Sequence, residues 1–200
     1  MNFNGSIVTA QVTDHNDTEV FAQHDGVTLA IDRSELAELP EVGSDVEGFA
    51  YENKQGQARL TTKVPTVGRD HYAFAKVVEV RKDLGVFVNI GLPDKDIVVS
   101  EDQLPEISRL WPQKGDQLMV ALTVDKKDRM WGNLADESII HAVANRAKPE
   151  QMNADVTATA YRLKMAGTRV LTDDFYLGFI HPSERDAEPR LGQILHARVI

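Results

Sequence analysis

The stretch KDLGVFVNIGLPDKDIVVS, residues 82–100, decides the fold of the region around it. Within it, the aliphatic residues Val86, Val88 and Ile90 alternate with one aromatic residue, Phe87, and one polar residue, Asn89. Because alternate side chains of a β-strand point to opposite faces, this order predicts a strand with an aliphatic inner face. The same alternation predicts that Phe87 and Asn89 lie on the outer face. An outward aromatic ring needs a partner there.

Short strand-like segments continue on both sides of this stretch and come in three sets. The first set is predicted at residues 6–14, 19–25, 27–32, 44–52 and 58–63. The second set is predicted at residues 74–81, 86–90, 97–100, 117–125 and 129–135. The third set is predicted at residues 156–163, 169–171, 178–184 and 191–200. In each set the third strand runs into a Ser-Glu pair and a glycine precedes the long fourth strand, which indicates a tandem array of β modules.

Five short strands with a short helix between the third and the fourth describe the OB-type barrel. We therefore predict an all-β chain of tandem five-stranded OB barrels with short helices and one linking helix. The linking helix is predicted over residues 137–147, because apolar residues recur there at helical spacing, and Pro149 ends it. The predicted organisation is a degenerate barrel at 1–66, a complete barrel at 67–136, the linking helix within 137–150 and a third barrel at 151–200.

The third module contains only four predicted strands, the last of them at residues 191–200. An unpaired apolar strand edge promotes aggregation. We therefore expect the third barrel to be truncated before its last strand, and the sequence to be a fragment or the natural protein to continue.

Charge and composition narrow the classes of function. Residues 1–66 carry 4 basic and 11 acidic side chains, whereas residues 137–200 carry 8 of each. Because contacts to phosphate supply much of the affinity for nucleic acid, RNA binding is expected in the second and third modules rather than the first. The absence of cysteine fits a reducing compartment, and we predict a cytoplasmic protein. No apolar run approaches the roughly 20 residues that span a bilayer, so no membrane association is predicted.

The sequence lacks the motifs that are typical of common classes of enzyme. It has no Gly-x-Ser-x-Gly elbow and no glycine-rich phosphate loop, and its six histidines lack the spacing of metal ligands. Asp173-Asp174 is interpreted as a turn rather than as a catalytic carboxylate pair. We therefore predict no enzymatic activity, no cofactor, no metal site and no small-molecule substrate.

The second module resembles the S1 RNA-binding domain. The residues that carry the resemblance are Leu84 to Ile90, Ile97 to Leu104, Gly115-Asp116 and Val124 to Arg129. In the third module, GFIHPSE at residues 178–184 resembles the third-strand motif of the same domain. The arrangement of the whole chain resembles the CvfB family of bacterial multi-S1-domain regulators, which implies continuation into a C-terminal winged-helix domain.

The resemblance implies a surface that binds single-stranded RNA. Aromatic rings on the second strand of an S1 domain stack on bases, while polar and basic neighbours hold the backbone. Module three keeps the third-strand histidine, His181, but has Arg169 at the position that matches Phe87. The residues expected to bind RNA are Phe87, Asn89, Asp125, Lys127, Arg129, Trp131, Arg169 and His181. The function implied is non-catalytic, sequence-tolerant RNA binding with a regulatory outcome after transcription, of the virulence-factor regulator type.

Other interpretations of these residues stay open at this point. Phe87 is also suited to packing under a neighbouring module or the linking helix, and Trp131 to packing between modules. His181, before Pro182, is also suited to a hydrogen bond within a loop. Other proteins are the alternative partners, since the acidic first module could dock one and a fold does not determine a function. Salt dependence separates the two functions, because RNA binding weakens steeply with added salt.

Overall fold

Residues 2–146 and 148–200 are described by the computed structural model, and in this part of the chain there are fourteen β-strands and one α-helix. Met1 and Ala147 lie outside the described residues; Ala147 is the last residue of the predicted linking helix. The strands form two closed five-stranded barrels and a four-stranded sheet. The prediction of an all-β chain built from tandem OB-type barrels is confirmed.

The first barrel consists of β1 (Ser6–His15), β2 (Glu19–His24), β3 (Val27–Asp32), β4 (Asp45–Glu52) and β5 (Ala58–Thr61). It closes in the order β1-β2-β3-β5-β4, with β5 parallel to β3 and antiparallel to β4. Alternate aliphatic residues fill its interior, among them Val12, Val20 and Leu29. A 3-10 turn at Arg33–Glu35 stands where the short helix between the third and fourth strands was predicted.

The second barrel repeats this architecture. Its strands are β6 (Ala73–Arg81), β7 (Gly85–Asn89), β8 (Ile97–Ser100), β9 (Gln117–Val124) and β10 (Met130–Leu134). They close in the order β10-β8-β7-β6-β9, and β10 runs parallel to β8 as β5 does to β3. Two 3-10 turns, at Glu101–Gln103 and Ser108–Leu110, connect β8 to β9.

The linking helix, α1 (Glu137–Val143), ends earlier than predicted. Asp136 is the N-cap residue of this helix. Its side chain accepts a hydrogen bond from the backbone N–H of Ile139 and so caps the first turn. Beyond α1, the backbone N–H of Asn145 donates to the carbonyl of Phe175 at 2.7 Å. The helical spacing of apolar residues extended the prediction to residue 147, but pairing with a distant turn competes with the helix.

The third module is an open sheet. Its strands are β11 (Asp155–Lys164), β12 (Gly167–Thr172), β13 (Leu177–Ile180) and β14 (Ile194–Arg198). They lie in the order β13-β12-β11-β14 and all pair in the antiparallel sense. Ala158, Ala160 and Val170 form its buried core.

The described chain divides into two compact units. One unit contains the residues up to Tyr72 together with 89–97 and 121–131. The other contains residues 73–88, 98–120 and 132–200, and therefore includes α1 and the third sheet.

Within the second unit, the third module is fixed to the turn that precedes β9. The guanidinium of Arg190 makes two contacts with the buried carboxylate of Asp116, at 3.0 and 3.1 Å. The backbone N–H of Gln117 donates to the carbonyl of Gly192 at 2.9 Å, which extends the connection to the main chain.

Candidate nucleic-acid interface

Phe87 lies on the outer face of β7. Its neighbours Val86 and Val88 are completely buried in the barrel, whereas Phe87 is half-buried and Asn89 is exposed. The predicted alternation of the strand is confirmed. The backbone fits this arrangement because Gly85, at φ +134°, lies so close to β8 that a Cβ would stand 2.0 Å from the carbonyl oxygen of Val99. Base stacking by the Phe87 ring stays a prediction.

Asn89 organises the turn that follows β7. Its side-chain oxygen accepts a hydrogen bond from the backbone N–H of Gly91 at 2.9 Å. Its amide nitrogen lies 3.4 Å from a carboxylate oxygen of Asp96, which also pairs with Lys54 at 3.1 Å. These contacts hold the turn in one conformation and leave Asn89 exposed at its edge.

Asp125 organises the turn between β9 and β10, which we call the 125–131 hairpin. One carboxylate oxygen accepts hydrogen bonds from the backbone N–H groups of Lys127 and Arg129, at 2.8 and 3.0 Å. The other oxygen accepts from Arg129 Nε at 2.8 Å and from the indole N–H of Trp131 at 3.2 Å. A single carboxylate thus fixes four groups of one hairpin.

These hydrogen bonds also determine the protonation of Asp125. The backbone N–H of Arg129, followed by the Arg129 side chain, the backbone of Lys127 and the indole, lowers the pKa of Asp125 well below its ordinary value of 3.8. The carboxylate is therefore ionised across the physiological range, and the hairpin keeps its shape there.

Arg129 and Trp131 form a layered surface on the 125–131 hairpin. The Arg129 guanidinium lies 5.5 Å from the centre of the Trp131 ring, a cation–π contact. Arg129 is 59% exposed, and Asp125 occupies only some of its N–H groups. An arginine held beside an aromatic ring in this way can stack on a base and offer its remaining donors to a phosphate. Lys127, at the exposed tip, adds a second cation.

In the third module, Arg169 occupies the same position on β12 that Phe87 occupies on β7. Both follow a buried glycine by two residues, Gly167 and Gly85, and both are half-buried. The Arg169 guanidinium is in contact with the carboxylate of Glu137 on α1, although the side chain remains 37% exposed. The sequence predicted a cation at this position but not its acidic partner.

His181 has a partner within its own loop. Its Nδ1 accepts a hydrogen bond from the backbone N–H of Ser183 at 3.2 Å and lies 2.8 Å from the Ser183 hydroxyl. The ring thereby caps the 3-10 turn Pro182–Glu184. The interpretation of His181 as a loop residue therefore has direct geometric support, while the ring itself remains exposed.

The structure brings some of the predicted residues together and leaves others apart. Asp125, Arg129 and Trp131 are in direct contact, whereas Arg169 and His181 lie on different elements of the third module. The sequence interpretation missed Phe179 on β13, which is 57% exposed and directly opposite Arg169. The alternation of Phe179 with His181 in GFIH was the signal that could have revealed it.

Residues 2–146 and 148–200 hold no group of three or more His, Cys, Asp or Glu side chains arranged to bind a metal ion. In the same residues, no helix combines the length and the apolar character that a bilayer crossing requires.

Comparison with protein families divides the chain into three matched segments. Residues 4–63 match the S1 domain, residues 72–133 match the first S1-like domain of CvfB, and residues 140–200 match the second domain of virulence regulatory factor CvfB. The segment matched to the S1 domain includes the module whose motif is least clear in the sequence.

Curated relatives match over most of the chain. "Uncharacterized protein YitL" of Bacillus subtilis is 39% identical over 196 residues, which cover 98% of this chain and 65% of YitL. "Conserved virulence factor B" of Staphylococcus epidermidis RP62A is 36% identical over 176 residues, covering 86% and 58%. The Staphylococcus aureus N315 protein of the same name is 35% identical over 178 residues, covering 88% and 59%. The chain thus spans about three fifths of the length of these relatives.

A solved structure is also similar. The crystal structure of a multidomain protein with nucleic acid binding domains from Streptococcus pneumoniae TIGR4 superposes with a TM-score of 0.96. Its sequence is 49% identical, and the match covers 100% of this chain and 70% of the crystallised one.

Proposed function

Because the chain belongs to the CvfB-like family of proteins with S1-type domains, we propose that it binds single-stranded RNA without strong sequence preference and regulates gene expression after transcription. The matched families are nucleic-acid-binding and regulatory domains, which are not enzyme types. We accordingly propose a non-catalytic protein that acts in the cytoplasm, where its RNA partners are found.

The observation that carries the proposal is the outward position of Phe87 on a barrel whose interior is already filled. Val86, Val88 and Ile97 are completely buried, so the core does not need the Phe87 ring. A partly exposed ring on a strand can stack on any base, which contributes about 1–3 kcal/mol per base. Stacking of this kind is tolerant of sequence, because every base has a π-face.

The 125–131 hairpin supplies the electrostatic part of the proposal. Lys127 and Arg129 are exposed cations, and Asp125 holds the Arg129 guanidinium against Trp131. Phosphate contacts of this kind contribute affinity but no sequence information. The acidic first module, with 4 basic and 11 acidic side chains in residues 1–66, is a poor surface for RNA.

The proposal is tested by fluorescence anisotropy with a labelled oligouridylate of about 12 nucleotides, within the range that one OB barrel covers. Phe87→Ala should weaken binding between about fivefold and 150-fold, the range that corresponds to loss of one stacked base. Phe21→Ala is the matched control, since Phe21 is a half-buried ring on β2 of the acidic barrel. Phe21→Ala should change the affinity for the oligouridylate by less than about twofold.

Two results would count against RNA binding. The first is absence of binding by the unmodified protein at low salt. The second is an equal loss on Phe21→Ala and Phe87→Ala in variants whose thermal unfolding is unchanged, which would show that Phe87 has no special part in binding. Binding of a protein partner through the acidic module would instead show little dependence on Phe87 and a different response to salt.

A further inference from the structure

The outer face of the third sheet carries a line of cationic and aromatic side chains across three strands. Arg162 on β11 is directly opposite Arg169 on β12, and Arg169 is directly opposite Phe179 on β13. Residues that are directly opposite on neighbouring strands share one face of a sheet. Lys164 follows Arg162 by two residues and lies on the same face. We call Arg162, Lys164 and Arg169 the basic row.

Phe179 is held as an open platform beside the basic row. Its ring lies over Gly167, where a Cβ would stand only 2.4 Å from the ring carbon Cζ. Glycine is required there, both for this contact and because its φ is +147°. The ring is thus supported by the sheet from below, yet 57% of the residue is exposed.

The basic row places like charges next to one another on neighbouring strands. Like charges directly opposite on neighbouring strands destabilise a sheet, and Arg162 and Arg169 are such a pair. The carboxylate of Glu137, on α1, relieves this repulsion. It contacts Arg169, and it lies 3.6 Å from Lys164 Nζ and 4.0 Å from Arg162 Nε. Three cations around one carboxylate leave an excess of positive charge on this face.

The carboxylate of Glu137 is shared among the three cations of the row, with Arg169 as its nearest partner. The row also borders a groove of about 740 Å³, which is lined by the cations Arg162 and Lys164 and by the acids Glu106, Asp136, Glu137 and Glu188. A phosphate therefore has to reach the row from the side of Phe179 rather than through this groove, but it offers more acceptor oxygens than a carboxylate and can make more charge-assisted hydrogen bonds to the three cations.

We propose that Phe179 and the basic row form a second nucleic-acid site, in which Glu137 occupies the place of a phosphate until RNA displaces it. This inference rests on the proposed RNA binding, and it assigns the site to a phosphodiester backbone with one base stacked on Phe179. Glu137 thereby weakens RNA binding by the third module. Neutralising this acid should raise the affinity for RNA, whereas removing a residue that contacts RNA should lower it.

The test compares Glu137→Gln with the unmodified protein, using the oligouridylate and a series of salt concentrations. Affinity at low salt should rise about two- to fivefold, the range expected when an exposed ion pair is gained. The plot of log affinity against log salt should steepen by about 0.7 for each phosphate newly contacted. Glu150→Gln is the matched control, because Glu150 is exposed and the described residues give it no ion pair. It should leave the salt slope unchanged.

A second pair of variants tests the platform. Phe179→Ala, introduced together with Glu137→Gln, should abolish the gain in affinity. Met152→Ala in the same background should preserve it, because Met152 is 63% exposed and lies outside both the row and the groove. If Glu137→Gln fails to fold, Glu137→Asp replaces it, since the shorter side chain withdraws the carboxylate and should give a smaller gain.

The results separate this inference from the proposed function. Equal affinities and salt slopes for Glu137→Gln and Glu150→Gln, or a gain that survives Phe179→Ala, would overturn the second site. Phe87→Ala would still weaken binding in that case if the second barrel binds RNA. Absence of binding by every variant at low salt would overturn both.

Discussion

The second barrel and the third sheet share one framework and differ in the chemistry on its outer face. β7 and β12 each begin with a buried glycine at positive φ, Gly85 and Gly167, and the outward position two residues later holds Phe87 in one and Arg169 in the other. The comparison shows that the framework specifies where a side chain points. It does not specify whether that side chain is an aromatic ring or a cation already in contact with an acid.

The two acids that hold these cations also differ. Asp125 accepts two backbone N–H groups of its own hairpin as well as side-chain donors, so it builds the loop that presents Arg129. Glu137 contacts side chains that are distant in the sequence, those of Lys164 and Arg169. Removing the first acid should disorganise a binding surface, whereas removing the second should uncover one.

The largest expected effect is a loss of stability, caused by substitutions that disrupt the shared framework itself. Gly85→Ala places a Cβ 2.0 Å from the carbonyl oxygen of Val99, at a φ that other residues rarely adopt. Overpacking and backbone strain of this kind each cost about 1–3 kcal/mol. Gly167→Ala should cost less, because its closest backbone contact, the carbonyl oxygen of Ile180, is farther away at 2.6 Å, and its other close contact is the Phe179 ring, which can turn away. Thermal unfolding of both variants measures the difference, and equal melting temperatures would contradict the comparison.

The second prediction breaks the 125–131 hairpin. Asp125→Ala removes the acceptor for four groups, so Arg129 and Trp131 lose their fixed geometry. RNA affinity should fall about tenfold, comparable to the loss of one hydrogen bond to a charged group. Asp125→Asn, which keeps one acceptor oxygen, should lose less. A rise in affinity on Asp125→Ala would mean that this acid competes with RNA, as we propose for Glu137.

The third prediction separates stacking from phosphate contact within the second barrel. Arg129→Gln should weaken binding about two- to fivefold and reduce the salt slope by about 0.7, the contribution of one phosphate contact to single strands. Phe87→Ala should lower affinity without changing the slope, because an aromatic ring releases no counterions. Anisotropy titrations at several salt concentrations provide both quantities. A reduced slope for Phe87→Ala would show that the ring acts through the neighbouring charges.

The smallest expected effect concerns the titration of Asp125. The pKa of Asp125 in the folded protein lies below the ordinary value of 3.8. The ionised carboxylate therefore stabilises the fold in full at pH values above 3.8. The contribution is lost only as pH falls from 3.8 through the lowered pKa. Carboxyl NMR of Asp125 should show this, and Trp131→Phe should move the midpoint only slightly upward, since the backbone N–H of Arg129 is the largest cause. A midpoint at 3.8 in the unmodified protein would contradict the hydrogen-bonded hairpin.

The sequence predicted those features that depend on local spacing. The alternation of Val86, Phe87 and Val88 determines which faces of β7 are buried, and a two-residue period can be detected in a single strand. The position of Asp125 beside Arg129 in one hairpin is local in the same way. The two barrels could therefore be predicted with their inner and outer faces.

Contacts between distant segments could not be predicted in this way. No spacing connects Glu137 to Arg169, because the contact depends on the path of the chain after α1. The same path ends α1 at Val143, where Asn145 pairs with the turn at Phe175. The sequence alone therefore identified Arg169 as a cation but not as one already neutralised in part.

Photocrosslinking tests the central claim most directly, since it identifies the residues that touch RNA without relying on substitutions. An oligouridylate containing 4-thiouridine is irradiated with the protein at low salt, and the modified peptides are identified by mass spectrometry. We predict adducts on the peptides that contain Phe87 or Trp131, with the Phe179 peptide gaining adducts in Glu137→Gln. Adducts confined to the acidic first barrel, or their complete absence, would contradict the account.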